Sequence, residues 1–304
     1  MTAPLPDAAP ANWVDRHAPA SLRPWLKLGR FDRPTGIWLL MLPGWQGVAL
    51  ANAIEGRAPD LRLLVCIFVG AALMRAAGCA YNDIVDRDFD AQVARTAGRP
   101  IPSGEISVKN AWRFVIGAGL VSLLILLTMG WLAIGLGVLS LGLVAAYPFM
   151  KRITWWPQAW LGLTFNWGAL LGFAAATGTL SWPAVLLYIS GLFWTLGYDT
   201  IYAVQDLEDD ALAGVKSSAR RLGAAAPRAV AGFYVACVLL AFIAGWSGGL
   251  GIAFLAVLVI YALHFAWQAQ RLRIDDTVLA LALFRSNTWA GVILFVALAA
   301  GGVR

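Results

Sequence analysis

Residues 62–90 read RLLVCIFVGAALMRAAGCAYNDIVDRDFD, and this stretch decides the fold. Twenty or so apolar residues run without a break except for one arginine, Arg75, and then end in a burst of acids. About 20 such residues cross the roughly 30 Å hydrocarbon core of a bilayer as one helix. In the acidic part, Asn82, Asp86 and Asp90 recur at i, i+4 and i+8, one stripe of a helix. Asp83 flanks that stripe and Asp88 points away from it. The segment therefore predicts a membrane helix that carries an acidic stripe out of the bilayer.

The rest of the chain repeats the apolar part of this pattern. Of 304 residues 60% are hydrophobic and 13% are charged, and the mean hydropathy is +0.70. Soluble chains carry about 25% charged residues. Nine candidate spans follow, at residues 36–54, 62–82, 111–129, 131–149, 156–177, 182–204, 227–246, 250–269 and 278–301. The fold class expected is all-α: a polytopic membrane bundle of about nine transmembrane helices. Residues 21–31 mix apolar and basic side chains, the pattern of a short helix lying in the membrane interface. Residues 1–20 lack a signal-peptide core. They are expected to be a disordered cytoplasmic tail ahead of a single transmembrane domain, 21–304, with two pseudo-repeated Asp-motif halves.

Charge sets the orientation. Most of the 23 Lys and Arg residues fall before the first span or in alternate loops, and the opposite loops and C-terminus hold Arg57, Arg62 and Arg304. The positive-inside rule then places the N-terminus in the cytoplasm. The net charge of +6 is explained the same way, without nucleic acid. A bacterial inner membrane is the expected location, with the functional site on its cytoplasmic side. Trp45, Trp131, Trp155, Trp156, Trp182 and Trp246 near span ends suggest an interfacial belt. Cys66, Cys79 and Cys237 lie in apolar runs without metal-ligand spacing and read as core thiols. His17 and His264 are isolated, so a histidine metal site is not expected.

A second acidic window, YDTIYAVQDLEDD at 198–210, closes the sixth candidate span. The two windows hold more than half of the 17 Asp and Glu residues. Both close spans of the same direction, so both emerge at one face. Asp199, Tyr202, Asp206 and Asp210 again follow a helical stripe. Carboxylates in rows repel one another, and oxygen-only ligands suit a hard cation. Mg²⁺ is usually held by one or two carboxylates together with phosphate oxygens, which predicts a diphosphate as the second partner. Arg95, Arg99 and Lys109 follow the first window, Lys151 and Arg152 end the fourth span, and Lys216, Arg220 and Arg221 follow the second window. Any of these alone reads as a positive-inside anchor; as a set they could hold a diphosphate. Arg75 lies seven residues before Asn82 and deeper in the membrane. Such an arginine costs roughly 2.5–3.5 kcal/mol on insertion scales, so it is a functional candidate, either as the anchor of an anionic acceptor or as the partner of Asp199. Arg285 and Asn166 receive no role.

With these residues in view, the chain resembles the UbiA-type membrane prenyltransferases, most closely the 4-hydroxybenzoate branch. The resemblance rests on MRAAGC at 74–79 running into the NDxxDxxxD window, on RTAGRPIPSG at 95–104, on Tyr147 and Lys151, and on the 198–210 window followed by GVKSS at 214–218. It implies nine helices around a central cavity open to the cytoplasm and to lipid, with Mg²⁺ between the motifs. It implies metal or diphosphate ligation by Asn82, Asp86, Asp90, Asp206 and Asp210, with Asp83 as a further metal candidate. Diphosphate contacts would come from Arg95, Arg99, Lys151 and Lys216, and Arg75 would sit near the aromatic acid. Asp199 is a candidate for positioning or deprotonating the phenol. The implied partners are a polyprenyl diphosphate, 4-hydroxybenzoate and membrane lipid. Rival readings are another acceptor (haem, homogentisate or chlorophyllide) or a cation-coupled transporter. The transporter would place its acids near mid-span.

Overall fold

The computed structural model describes residues 12–92, 96–207 and 214–302. Among them lie twelve α-helices, and nine are long and apolar enough to cross a membrane. These nine are α3 (Thr35–Ile54), α4 (Leu61–Asp90), α5 (Val108–Leu126), α6 (Trp131–Ile153), α7 (Pro157–Thr177), α8 (Trp182–Ala203), α10 (Ala226–Ser247), α11 (Ile252–Arg271) and α12 (Thr277–Gly301). Three short helices complete the set: α1 (Trp13–His17), α2 (Arg23–Leu28) and α9 (Ser218–Leu222). The all-α expectation and each of the nine expected spans hold, including the last. Helices dominate because lipid offers no hydrogen bonds, so each backbone amide must find its partner within its own segment.

The chain divides into two compact units. The first takes its described residues from Met1–Trp38 and Phe68–Thr128 and carries the first acidic window; the second takes them from Leu39–Ile67 and Met129–Arg304 and carries the second window.

Helix α4, whose residues from Phe68 to Asp90 belong to the first unit, runs unbroken for 30 residues, about 45 Å at 1.5 Å per residue. That exceeds the hydrocarbon thickness by some ten residues, so the Asn82–Asp90 stripe sits on helix but beyond the apolar run. Leu28 of α2 is buried with Ala80, Ile84, Ile101, Ile106 and Ala111, and Trp25 packs on this cluster. The short amphipathic segment is therefore anchored by side-chain packing onto α4 and α5. Part of the expected disordered tail is also ordered. Asn12 caps α1 by accepting from the Asp15 amide, Val14 is buried, and Lys27 pairs with Asp15 at 2.8 Å. The sequence showed only Ala, Pro and scattered charges here; the order comes from a partner twelve residues away.

In the second unit, α8 packs on α7, α10 and α12; α6 packs on α7, and α11 packs on α10 and α12. Helix α8 buries residues on every side, from Ala184 to Ala203, whereas α6 buries only Ala133 and Pro148. Both are apolar all round, so α6 presents an apolar surface suited to lipid. Glycines bring α3 and α7 into backbone contact. A Cβ on Gly172 would stand 2.2 Å from the Gly44 carbonyl oxygen, and one on Gly47 would stand 2.2 Å from that of Ala169. Without a hydrophobic driving force between helices in lipid, such close approach supplies the packing. Indole donors add fixed points: Trp160 and Trp167 of α7 donate to the carbonyls of Leu143 and Leu136 on α6, at 2.9 and 2.8 Å.

Trp131, Trp182 and Trp246 are exposed at helix ends, as an interfacial belt requires. Trp45 is different. It lies mid-helix in α3, donates to the Leu64 carbonyl at 2.8 Å and packs on Phe295. The three cysteines carry free thiols, with Cys79 and Cys237 buried and Cys66 half-buried.

Candidate active site

The first acidic window keeps its stripe. Asp83, Asp86 and Asp90 are 0%, 2% and 4% exposed, while Asp88 faces outward. Burial of three carboxylates within eight residues requires compensation, and the structure provides it. Arg30, just after α2, donates through Nη2 to both oxygens of Asp83, at 2.7 and 2.8 Å. Arg99 donates through Nη1 to Asp90 Oδ2 at 2.7 Å and to Asp83 Oδ1 at 3.3 Å. Asn82 donates to Asp86 Oδ2 at 3.1 Å, the i, i+4 contact expected from the spacing.

The loop that delivers Arg99 is fixed locally. Thr96 donates its hydroxyl to the Asp90 carbonyl at 2.8 Å, Ile106 N bonds to Pro100 O at 2.8 Å, and Ile101 and Ile106 are buried in the Leu28 cluster. Arg95 lies outside the described residues. The Arg30 guanidinium is held more firmly protonated than usual: burial opposes its charge, and the charge and hydrogen bonds of Asp83, together with Asp32 and other nearby groups, act the other way and prevail.

Deeper in α4, Arg75 is half-buried, and its guanidinium lies against the backbone of Gly36 at the start of α3. A Cβ at Gly36 would come within 2.6 Å of Arg75 Nε. The absent side chain is what gives the guanidinium its place.

The second window departs from the expected stripe. Helix α8 ends at Ala203 and tightens into a 3₁₀ turn over Val204–Asp206. Three residues at 120° instead of 100° rotate Asp206 by roughly 60° from the position of an unbroken α-helix. Asp199 and Asp206 are half-buried. On α8, Trp194, Tyr198 and Tyr202 join Phe284 of α12 in a chain of edge and tilted ring contacts, with Tyr202 and Phe284 centroids 4.6 Å apart. Asp210 lies outside the described residues.

The segment after the window is held on three sides. Lys216 N bonds to the Lys151 carbonyl at 3.1 Å, and Lys216 Nζ donates to the Ile153 carbonyl at 3.2 Å. Ser218 pairs with Thr200 at 2.6 Å through their hydroxyls, and its amide donates to Gln158 Oε1 at 3.0 Å. Lys151 and Lys216 are thus neighbours through the backbone, with the Lys216 ammonium on the Ile153 carbonyl. Arg220 instead turns back to the Val215 carbonyl and stacks over Trp155 at 5.5 Å.

Asn166, left without a role by sequence, is buried. It donates to Thr195 Oγ1 at 2.8 Å and to the Gly162 carbonyl at 2.9 Å. It is a pin between α7 and α8. Arg285 is exposed. Sequence reasoning missed Arg30, Gln158 and the Thr200–Ser218 pair; only the buried charge of Asp83 signalled that a cation was needed. Among the described residues no group of three or more His, Cys, Asp or Glu could hold an ion by itself.

Residues 40–298 match the UbiA prenyltransferase family. The chain is 46% identical over 281 residues to the mitochondrial 4-hydroxybenzoate polyprenyltransferase of Aedes aegypti, covering 91% of this chain and 63% of that protein. It is 44% identical to the Mus musculus protein of the same name, covering 95% and 78%, and 43% identical to that of Homo sapiens, covering 94% and 77%. The chain therefore spans less than two thirds of the Aedes protein. Among solved structures it is similar to a UbiA homolog from Aeropyrum pernix, with a TM-score of 0.68 and 28% identity over 84% of this chain and 96% of that one. It also shares its fold with a UbiA homolog from Archaeoglobus fulgidus bound to GPP and Mg²⁺, with a TM-score of 0.67 and 21% identity over 92% and 99%. The expected bacterial inner membrane is overturned: these curated relatives are mitochondrial proteins of animals. The multi-pass character stands. Nine apolar helices, two acidic windows and a match across most of its length make this chain a member of the UbiA prenyltransferase family.

Proposed function

We propose that the protein transfers a polyprenyl group from a polyprenyl diphosphate to 4-hydroxybenzoate, at the ring carbon ortho to the hydroxyl, with Mg²⁺ as cofactor. The observation that carries the reading is likeness over more than nine tenths of the chain to proteins named for that reaction. The first window supports it: buried Asp86 and Asp90 on one helical stripe, with Asn82 beside them and the Arg99 guanidinium at hand.

These residues fit a Mg²⁺ site. They are hard oxygen donors, and the five side chains Arg30, Arg99, Asp83, Asp86 and Asp90 sum to a net charge of −1. Among the described residues too few carboxylates converge to hold an ion without further ligands, which suits an ion that also takes diphosphate oxygens. Asn82, Asp86 and Asp90 would hold it. Asp83 is committed to two guanidinium groups and is left out of that set. Asp206 and Asp210 join the proposal because the 198–210 window resembles the second acidic motif of the family the chain belongs to, not because they share a helical stripe. Bound Mg²⁺ would supply neutralisation of the negative charge that grows on the leaving diphosphate.

The chain's own residues do the rest. Arg99, Lys151, Lys216 and Arg95 are assigned to the diphosphate as charge-assisted donors. Arg75 is assigned to the carboxylate of the aromatic acid, and Asp199 to the phenol. The allylic C–O bond breaks with its electron pair going to the diphosphate. The ring carbon forms the new C–C bond, and the displaced ring proton is lost to a base. Apolar and aromatic walls such as Tyr202 and Phe284 keep water from the allylic cation.

The test is mass spectrometry of products from isolated membranes given 4-hydroxybenzoate and a mixture of prenyl diphosphates, with and without a chelator. A chelator-sensitive 3-polyprenyl-4-hydroxybenzoate is expected, and Asp86→Ala and Asp206→Ala should each abolish it while the protein still inserts. Product only with homogentisate or haem, or full activity in either variant, would overturn the reading.

A further inference from the structure

Arg30 has a cost and a placement that packing alone does not explain. It is the only non-glycine residue with positive φ among the described residues, at 60°, in the left-handed region where a Cβ is strained. It is buried, its Nη2 donates to both oxygens of Asp83, 53 positions away, and its Nη1 donates to the Lys27 carbonyl at 3.0 Å. Strained backbone persists only where the surroundings over-determine it. The surroundings here are the first acidic window. From Arg30 the contacts run in sequence: Arg30 to Asp83, Asp83 to Arg99, Arg99 to Asp90.

We propose that Arg30 is a positioning residue for the acidic window, acting through Asp83 to set the Arg99 guanidinium against Asp90. The claim rests on the reading of Asp90 and Arg99 as cation and diphosphate groups. The physical reason is a competition for one guanidinium. Arg99 Nη1 is shared unequally, at 2.7 Å from Asp90 and 3.3 Å from Asp83. Asp83 can remain the weaker claimant because Arg30 already satisfies both of its oxygens. Without Arg30, Asp83 would be a buried carboxylate beside the Arg99 guanidinium, and it would draw Arg99 off Asp90. The window would then carry one more negative charge and a displaced arginine, and an anionic diphosphate would meet both.

The experiment uses purified full-length protein in lipid nanodiscs and two readouts: affinity for Mg²⁺ with inorganic pyrophosphate, by ligand-dependent thermal shift, and KM against kcat for the prenyl diphosphate. Arg30→Gln should weaken pyrophosphate binding about tenfold, the scale seen when partners that orient metal ligands are removed, and raise KM with little change in kcat. Adding Asp83→Asn removes the competing charge and should restore binding to within about threefold of wild type. Unchanged binding in Arg30→Gln, or a double variant as weak as the single one, overturns the proposal. If Arg30→Gln is not recovered folded, Arg30→Lys decides instead. Its ammonium cannot hold the Lys27 carbonyl and both Asp83 oxygens at once, as Nη1 and Nη2 of the guanidinium do, so a fall of about threefold is expected and wild-type affinity overturns the claim. Wild-type protein that binds Mg²⁺ with pyrophosphate in an Arg30-dependent way, yet prenylates no 4-hydroxybenzoate, sinks the proposed function and leaves Arg30's role. Wild-type protein that shows no pyrophosphate binding sinks the role itself.

Discussion

The guanidinium of Arg75 occupies the space that a side chain on Gly36 would need: a Cβ there would stand 2.6 Å from Nε and 2.8 Å from Nη2. The two residues are 39 positions apart, yet the position of one depends on the bareness of the other. Gly36→Ala should therefore displace Arg75 by a few tenths of an ångström or more while leaving the acidic window in place. The expected result is a several-fold rise in KM for 4-hydroxybenzoate with KM for the prenyl diphosphate nearly unchanged, since about 1 Å of misplacement can cost up to 10²-fold. Steady-state kinetics with each substrate varied in turn would check this, and equal effects on both would count against Arg75 as the acid anchor.

Arg99 serves stability as well as chemistry. Removing it leaves the buried carboxylate of Asp90 without its guanidinium, and breaking one side of a buried pair costs about 3–5 kcal/mol. Arg99→Ala should lower the thermal unfolding midpoint in detergent and also abolish turnover. Arg99→Ala with Asp90→Asn should recover much of the stability and none of the activity. Recovery of activity would remove both residues from the proposed site.

The α3–α7 crossing depends on missing side chains. Gly172→Leu would push a side chain into the Gly44 carbonyl. Overpacking of this kind costs typically about 1–3 kcal/mol. The variant should inactivate faster on heating, with KM values near wild type in the surviving fraction. Thermal inactivation half-lives in native membranes provide the measurement.

Asn166 joins α7 to α8 and is not expected to touch substrate. Asn166→Leu should cost about 0.6–1.7 kcal/mol, the range for interhelical hydrogen bonds in a membrane protein. KM for both substrates should hold. A selective change in KM for either would place Asn166 in the site.

The α1–α2 contact should respond to acid. The Asp15 carboxyl is lowered below its usual value chiefly by its hydrogen bond to Lys27. A group with a depressed folded pKa contributes stability above its unfolded pKa, and loses it as pH falls through the folded value. Between neutral pH and about pH 5 the contact should be unchanged, and below about pH 4 α1 should loosen. Trp13, which donates to the Phe31 carbonyl at 2.7 Å, reports this through its fluorescence. Lys27→Gln should raise the pH of the change; no shift would mean that the pair does not hold α1.

The nine spans were legible because they are local. In lipid each helix must satisfy its own amides, so a run of about 20 apolar residues almost settles its structure. The Asn82–Asp86–Asp90 stripe was legible for the same reason: helical spacing alone puts Asn82 within 3.1 Å of Asp86. Spacing failed at Asp206, because the period held only as far as Ala203 and the last turn tightened. Part of the supposed tail was missed because its order comes from Lys27 and from burial of Val14.

By itself, then, the sequence determined the helices, their order and the types of chemistry near their ends, all fixed by periodicity and composition. The tertiary structure alone decided which cation answers which buried acid: Arg30 for Asp83, Arg99 for Asp90. It also decided which glycine makes room for Arg75. A buried charge demands a partner without specifying where in the chain that partner lies, and a glycine's use is defined by the neighbour that fills its space. Both are properties of proximity between distant residues, which no local pattern encodes.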